Sequence, residues 1–183
     1  MIILVTGGAA SGKSEYAEKR LLDLSRGGRS AGYERYYLAT MIPRDDESCS
    51  RVDKHIRRRA GMEYTTYEYS YDIRRATDKL LKGNGRKCLL LEDCPNLVAG
   101  EMFSQDGTIN CNVGRRITDD IMSLSKVCEC ILIVTGEVSS DGKRYDEWTE
   151  AFIRELGVLN RCLANVADEV IEVVYGIPIT IRS

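Results

Sequence analysis

Gly7-Gly8-Ala9-Ala10-Ser11-Gly12-Lys13-Ser14 satisfies the pattern G-x-x-x-x-G-K-[ST] at every defined position. Such a run holds phosphates. Its glycines let backbone N–H groups turn inward around phosphate oxygens, and its lysine brings a point charge to the β and γ phosphates. Its terminal hydroxyl is a ligand for Mg²⁺, and the dipole of the helix that follows adds to the field. The sequence around it supplies the strand, loop and helix that the motif requires, so a nucleoside triphosphate is expected. The motif says little about the acceptor.

Two further groups have types and spacings that bear on chemistry. Glu92 and Asp93 close the apolar run Cys88–Leu91. A strand-end acid is where a P-loop enzyme holds its metal, so Ser14, Glu92 and Asp93 form the candidate metal set. Such acids are also common as solubilising caps, and position alone does not say which of the two acts. The second group surrounds the chain's single histidine. Arg51, His55 and Arg59 are spaced four apart and Arg58 is three from His55, so a helix stacks them on one face. An imidazole ringed by guanidinium groups is expected to have its pKa lowered, because a second cation is disfavoured there. A neutral imidazole is a nucleophile, and Arg58 and Arg59 could hold the phosphates of the group it attacks. Spacing alone also fits a plainer reading, a solvated basic helix with an incidental histidine.

The elements that must position these groups follow from apolar periodicity. Residues 2–6, 36–40, 64–69, 88–91 and 130–135 read as strands, the first, fourth and fifth apolar enough for burial on both faces. Between them, residues 13–25, 45–60, 72–81, 96–102, 117–127 and 146–167 read as helices, with Arg26–Ser30, Gly61, Gly83–Gly85 and the Gly107 loop as breaks. Val170–Tyr175 and Ile177–Ile181 suggest a hairpin around Gly176. Alternating strands and helices imply an α/β fold with a mostly parallel central sheet flanked by helices, one domain over residues 1–183. The phosphate-loop motif makes the expected class P-loop NTPase-like. Ligands in such sheets sit beyond the carboxyl ends of the strands, so the strand-end residues are where chemistry is expected.

Composition narrows the class. The chain has 183 residues, 43% hydrophobic and 30% charged, with 26 Lys plus Arg against 28 Asp plus Glu. The net charge of -2 makes a nucleic-acid partner a poor expectation. Seven cysteines are odd in number, and Met1–Thr6 runs into Gly7 with neither a basic lead nor a cleavage site. Reduced thiols and a cytoplasmic location are therefore expected. Only Cys128-Glu129-Cys130 approaches zinc-ligand spacing, and it has no second pair. No apolar run approaches the ~18 residues of a membrane span, so no membrane insertion is expected.

Taken in order, several segments resemble one family. They are Gly7–Ser14 with Glu15-Tyr16-Ala17-Glu18, Tyr37-Leu38-Ala39-Thr40, Asp45-Asp46-Glu47 and Arg51–Arg59. Tyr64–Glu68, Leu90-Leu91-Glu92, Val134–Val138, Ala167–Val170 and Tyr175–Pro178 continue the match over nearly the whole chain. The chain is similar to the adenosylcobinamide kinase/adenosylcobinamide-phosphate guanylyltransferase family of cobalamin biosynthesis. The resemblance implies a P-loop homotrimer that phosphorylates adenosylcobinamide with ATP or GTP. It further implies transfer of GMP from GTP to the resulting adenosylcobinamide phosphate through a guanylyl-histidine, releasing pyrophosphate. On it, the nucleophilic histidine is His55 and the arginine four residues on is Arg59. The family's remaining nucleotide contacts fall on Ala39, Thr40, Glu68 and Glu92, with Lys13 acting in the kinase step.

The chain departs from the family pattern in places. Gly136 and Gly100 stand where asparagines are usual, Ser139 where glycine is usual, and Arg161 where a glutamine follows the asparagine. Ser140–Tyr145 replaces a Gly-Ile-Val-Pro stretch. An Asn-to-Gly change removes an amide able to hydrogen-bond a base, ribose or acceptor. Two rival readings remain at this level: a P-loop kinase for another small molecule, and a nucleotide-dependent binding module that regulates a partner.

Overall fold

In a computed structural model, residues 1–26, 32–43, 45–103, 107–138 and 145–183 are described, without the side chains of Glu47 and Arg51. The expected turn at Arg26–Ser30 beyond its first residue, and the departures at Ser139 and at residues 140–144, lie outside the described residues. Among these residues seven strands form one sheet. β1 (Ile2–Thr6), β2 (Tyr33–Ala39), β3 (Tyr64–Glu68), β4 (Arg86–Glu92), β5 (Cys130–Val134), β6 (Glu169–Val174) and β7 (Ile177–Arg182) stand in the order β3-β2-β4-β5-β1-β6-β7. All neighbours run parallel except β6 and β7, the expected hairpin around Gly176. The central strands are the apolar ones. Cys-Ile-Leu-Ile-Val of β5 is buried throughout, as a strand covered on both faces must be.

One face of the sheet is covered by α1 (Lys13–Arg26), whose Ala17 and Leu21 meet Ile3, Val5, Leu90, Leu132 and Val173 in a dry layer. The other face carries α3 (Ala76–Leu81), α4 (Cys94–Met102), α5 (Val113–Leu124) and α6 (Glu147–Val166). There Leu97, Ile117, Ile121, Leu156 and Leu159 pack on Leu38, Leu89, Leu91 and Ile133. α2 (Asp46–Arg59) differs from the rest, with no buried residue among its described side chains and Ile56 exposed. No helix among the described residues is long and apolar enough to cross a membrane.

Several boundaries differ from those read from periodicity, each for a physical reason. α5 starts at Val113 rather than Ile117 because Glu155 of α6 accepts the N–H groups of Asn112 and Gly114 at 3.0 and 2.9 Å. This cap comes from another element, so no local pattern announces it. The helix expected from Asp72 begins as a 3₁₀ turn, Ile73–Arg75, after a left-handed Asp72 whose N–H is taken by Glu101. α4 starts at Cys94, because Asp93 accepts from the Asn96 N–H at 3.0 Å as an N-cap and Pro95 fits the first turn. β4 runs on to include Glu92, so that acid belongs to the strand and its backbone pairs with Thr40.

Candidate active site

The phosphate loop joins β1 to α1 as the sequence predicts, and its shape depends on what surrounds it. Gly7 has φ +152°, and a Cβ there would stand 2.5 Å from the Val173 carbonyl and 2.6 Å from Ser11 Oγ. Only glycine lets the chain leave β1 this close to β6. The loop is also tied from outside, with the Gly176 N–H donating to the Ser11 carbonyl at 2.8 Å. Gly8, Ala9 and Ala10 are exposed at its crest, and Lys13 Nζ folds back to donate to the Gly8 carbonyl at 3.0 Å. Gly12 and Ser14 lead into the first turn of α1.

The carboxyl ends of β2 and β4 form the neighbouring wall. Thr40, buried just past Ala39, donates through Oγ1 to the Asp93 carbonyl at 2.8 Å, and the Asp93 N–H reaches the same Oγ1 at 2.7 Å. Thr40 therefore fixes the turn that presents both acids. Asp93 spends one carboxylate oxygen on Asn96, whose N–H and Nδ2 both reach it; burial nonetheless pushes its pKa up. Glu92 is 7% exposed and is the meeting point of the site. The Tyr37 hydroxyl donates to its Oε2 at 3.0 Å, Ser14's hydroxyl donates to the same carboxylate, and His55 Nδ1 lies 3.6 Å from Oε2. Burial alone would raise the Glu92 pKa. The neighbouring His55, with the hydrogen bonds of the Ser14 and Tyr37 hydroxyls, outweighs it and leaves the pKa below the usual carboxylate range.

The last turn of α2 carries His55, Arg58 and Arg59. The expected all-cationic surroundings of His55 do not form. Arg58 makes a two-pronged pair with Glu18 of α1, Nε to Oε2 at 2.6 Å and Nη2 to Oε1 at 2.8 Å. Arg59 turns aside, donating from Nε to the His55 carbonyl at 3.1 Å and laying its guanidinium 3.4 Å from the Tyr37 ring centroid. The ring of His55 instead faces a carboxylate, because two acids from α1 and β4 meet the helix that its own sequence makes basic.

The predicted residues therefore separate into two groups. Lys13, Ser14, Thr40, Glu92, Asp93, His55, Arg58 and Arg59 surround one cleft at the carboxyl end of the sheet. Glu68 lies at the sheet's edge, exposed at the carboxyl end of β3 and level in register with Ala39. Two residues of the cleft were not singled out from sequence. Glu18 is four residues after Ser14 on α1 and is 1% exposed. That i, i+4 spacing placed it on Ser14's face, and it was legible only with α2's position known. Tyr37 is 4% exposed and sits one side-chain step from Ala39 along β2. Its burial pushes the phenol pKa up, so it stays protonated and donates.

Glu18, His55 and Glu92 bring three possible ligand atoms within 4.8 Å of one another. Arg58 already occupies both Glu18 oxygens, so a guanidinium is the counter-ion there. The hard oxygens of Ser14 and Glu92, next to the loop that takes the phosphates, are the donor type that magnesium accepts.

Two departures from the family pattern have structural correlates. A Cβ at Gly100 of α4 would run into the Ser70 carbonyl, so this chain packs α4 where a side chain has no room. At Gly136 an added Cβ would lie 3.4 Å from the Gly7 carbonyl and 3.7 Å from Lys13 Cε. The Gly136 carbonyl is held by Asn160 Nδ2 at 3.1 Å, and Asn160 Oδ1 accepts from Thr135 at 2.6 Å.

Comparison with known proteins identifies the family. The family model described as cobinamide kinase / cobinamide phosphate guanyltransferase matches residues 3–181. The bifunctional adenosylcobalamin biosynthesis protein CobU of Escherichia coli (strain K12) is 30% identical over 194 residues, covering 100% of both chains. Its namesake from Salmonella typhimurium (strain LT2) matches at the same identity and coverage. A solved KaiC-like protein from Pyrococcus horikoshii OT3 superposes at TM-score 0.49 and 16% identity, over 93% of this chain and 69% of its own.

Proposed function

Since the chain belongs to the cobinamide kinase / cobinamide phosphate guanyltransferase family, we propose that it performs both steps in the one cleft around Glu92. In the first, the loop amides and Lys13 hold the β and γ phosphates of ATP or GTP while the hydroxyl of adenosylcobinamide attacks in line. Ser14 and Glu92 would hold the magnesium ion, which screens phosphate charge; Asp93, engaged by Asn96, is the weaker candidate. In the second, His55 attacks the α-phosphate of GTP and pyrophosphate leaves. Adenosylcobinamide phosphate then takes the guanylyl group, giving adenosylcobinamide-GDP. Ala39 and Thr40 line the cleft, and Glu68 meets the nucleotide from the edge of the sheet. We place the enzyme in the cytoplasm as a homotrimer.

The observation that carries this reading is the convergence of the loop serine and the single histidine on one buried carboxylate, Glu92. It supports a reading in which the two chemistries share one side chain. The test is incubation with GTP labelled at the α-phosphate. The expected product is an acid-labile, alkali-stable protein adduct that His55→Ala abolishes while cobinamide phosphorylation persists. Phosphorylated cobinamide without an adduct in the wild type would leave a kinase alone. Binding with neither product would leave the regulatory module.

A further inference from the structure

The imidazole of His55 has two different neighbours competing for one nitrogen. Glu92 Oε2, an acceptor, lies 3.6 Å from Nδ1, and Arg58 Nη2, a donor, lies 3.4 Å from the same atom. The two favour opposite tautomers. An Nδ1–H pointing at the carboxylate leaves the Nε2 lone pair free, whereas a guanidinium donating to Nδ1 places the proton on Nε2 and removes the nucleophile. The distances alone do not decide, but the partners of each neighbour do. Arg58 spends one Nη2 N–H on Glu18 Oε1 at 2.8 Å and its Nε on Oε2 at 2.6 Å, so its charge is already paired and only the second Nη2 N–H is left to face Nδ1. Among the described residues no guanidinium pairs with Glu92, and its Oε2 is fixed in place by the Tyr37 hydroxyl at 3.0 Å.

We propose that Glu92 is a positioning residue that holds His55 as its Nδ1–H tautomer, with Glu18 restraining Arg58 from imposing the other. The inference rests on His55 being the nucleophile and adds how it is kept ready. In the step itself the Nε2 lone pair forms the bond to the α-phosphorus. The bond from that phosphorus to the bridging oxygen breaks, and its electron pair leaves with pyrophosphate. The ring is then an imidazolium, carrying the Nδ1 proton on one side and phosphorus on the other, and its charge faces the Glu92 carboxylate. When an oxygen of the acceptor phosphate attacks the same phosphorus, the N–P bond breaks. Its pair returns to Nε2 and the ring is neutral again. No proton has to enter or leave Nδ1, so a fixed carboxylate serves both halves.

Because the chain has one histidine, the tautomer can be read directly. Protein labelled with ¹⁵N-histidine, at a pH where the ring is neutral, gives two-bond ¹H–¹⁵N correlations from a single imidazole. The expected wild-type pattern is Nδ1–H, the reverse of the preference of free histidine. Glu92→Gln, isosteric and able to turn its amide, is expected to lose most of that bias. Glu18→Gln, which leaves Glu92 intact and frees Arg58, is expected to move the ring toward Nε2–H. A wild-type ring in the Nε2–H form overturns the proposal. So does an unchanged tautomer in Glu92→Gln, even if transfer is lost, since Glu92 would then act only on metal or nucleotide. The spectrum needs no nucleotide, so its failure is separable from failure of the labelled-GTP test, which reads the nucleophile itself.

Discussion

The two sides of the cleft are built in different ways. The phosphate loop is held by backbone: Gly7 is pressed against Val173, Ser11 is tied to Gly176, and α1 behind it buries Ala17 and Leu21. The side that carries His55 has no such footing. α2 buries nothing among its described side chains and meets the body through Arg58 on Glu18, Arg59 on Tyr37 and His55 near Glu92. A helix docked through polar contacts is easier to shift than one docked through a core, because its contacts can be replaced by water at small cost. The contrast suits the proposed two-step reading, in which the loop would hold phosphates for both reactions and the histidine would approach in only one.

The largest effect should come from breaking the rigid side. Gly7→Val forces a side chain where Val173 and Ser11 stand, and both the kinase and the transfer rate should fall by about 10²-fold or more. Circular dichroism should show the sheet intact. A loss confined to one activity would mean that the two reactions do not share the loop. Arg58→Lys tests the other side. It keeps the charge but loses the fork on Glu18, so adduct formation from labelled GTP should slow by about tenfold. Cobinamide phosphorylation should stay near the wild-type rate, and equal losses in both would erase the contrast.

This division also marks what the sequence could and could not tell. The rigid side was legible. An eight-residue motif between an apolar strand and an amphipathic helix specifies its own backbone, and the strand-end acids followed from a four-residue apolar run. The order of the strands and the placement of α2 were not, because they depend on contacts between distant elements. His55 was read as surrounded by arginines since only its own helix was visible. The acids that face it come from α1 and β4, 37 and 37 residues away in opposite directions along the chain. Tyr37 was seen only as part of a strand. Its hydroxyl acquires a role only when β4 lies beside β2 and brings Glu92 to it.

A milder consequence concerns motion without any substitution. Backbone amides in α2 should exchange with deuterium faster than those in the middle of α1, measured on the same sample at the same pH. Faster exchange is expected because opening α2 exposes almost no apolar surface. Comparable protection in the two helices would show that α2 is held by more than its charged contacts.

The smallest effect, and the sharpest control, comes from two helix caps of the same type. Asp45 opens α2 by accepting from the Ser48 N–H at 2.7 Å, with Ser48 Oγ taking the Asp45 N–H at 3.0 Å. Asp146 opens α6 by accepting from the N–H groups of Trp148 and Thr149, each at 3.0 Å. Either cap replaced by alanine weakens a first turn. α6 is held along its length by Leu156, Leu159 and Leu163, so Asp146→Ala should lower the melting temperature slightly and leave transfer unchanged. Its cost should also depend on pH in a fixed direction. Hydrogen bonds from the Thr149 side chain and backbone and the Trp148 N–H hold the Asp146 pKa below its unfolded value. The cap's contribution is therefore full above the unfolded pKa and fades as pH falls through the folded one. The wild type and Asp146→Ala should converge in acid. Asp45→Ala acts on a helix with no buried anchor, so the loosened turn should be felt at His55 as slower adduct formation with little change in melting temperature. If the two variants instead affect transfer equally, α2 is not the weakly held element that its contacts describe.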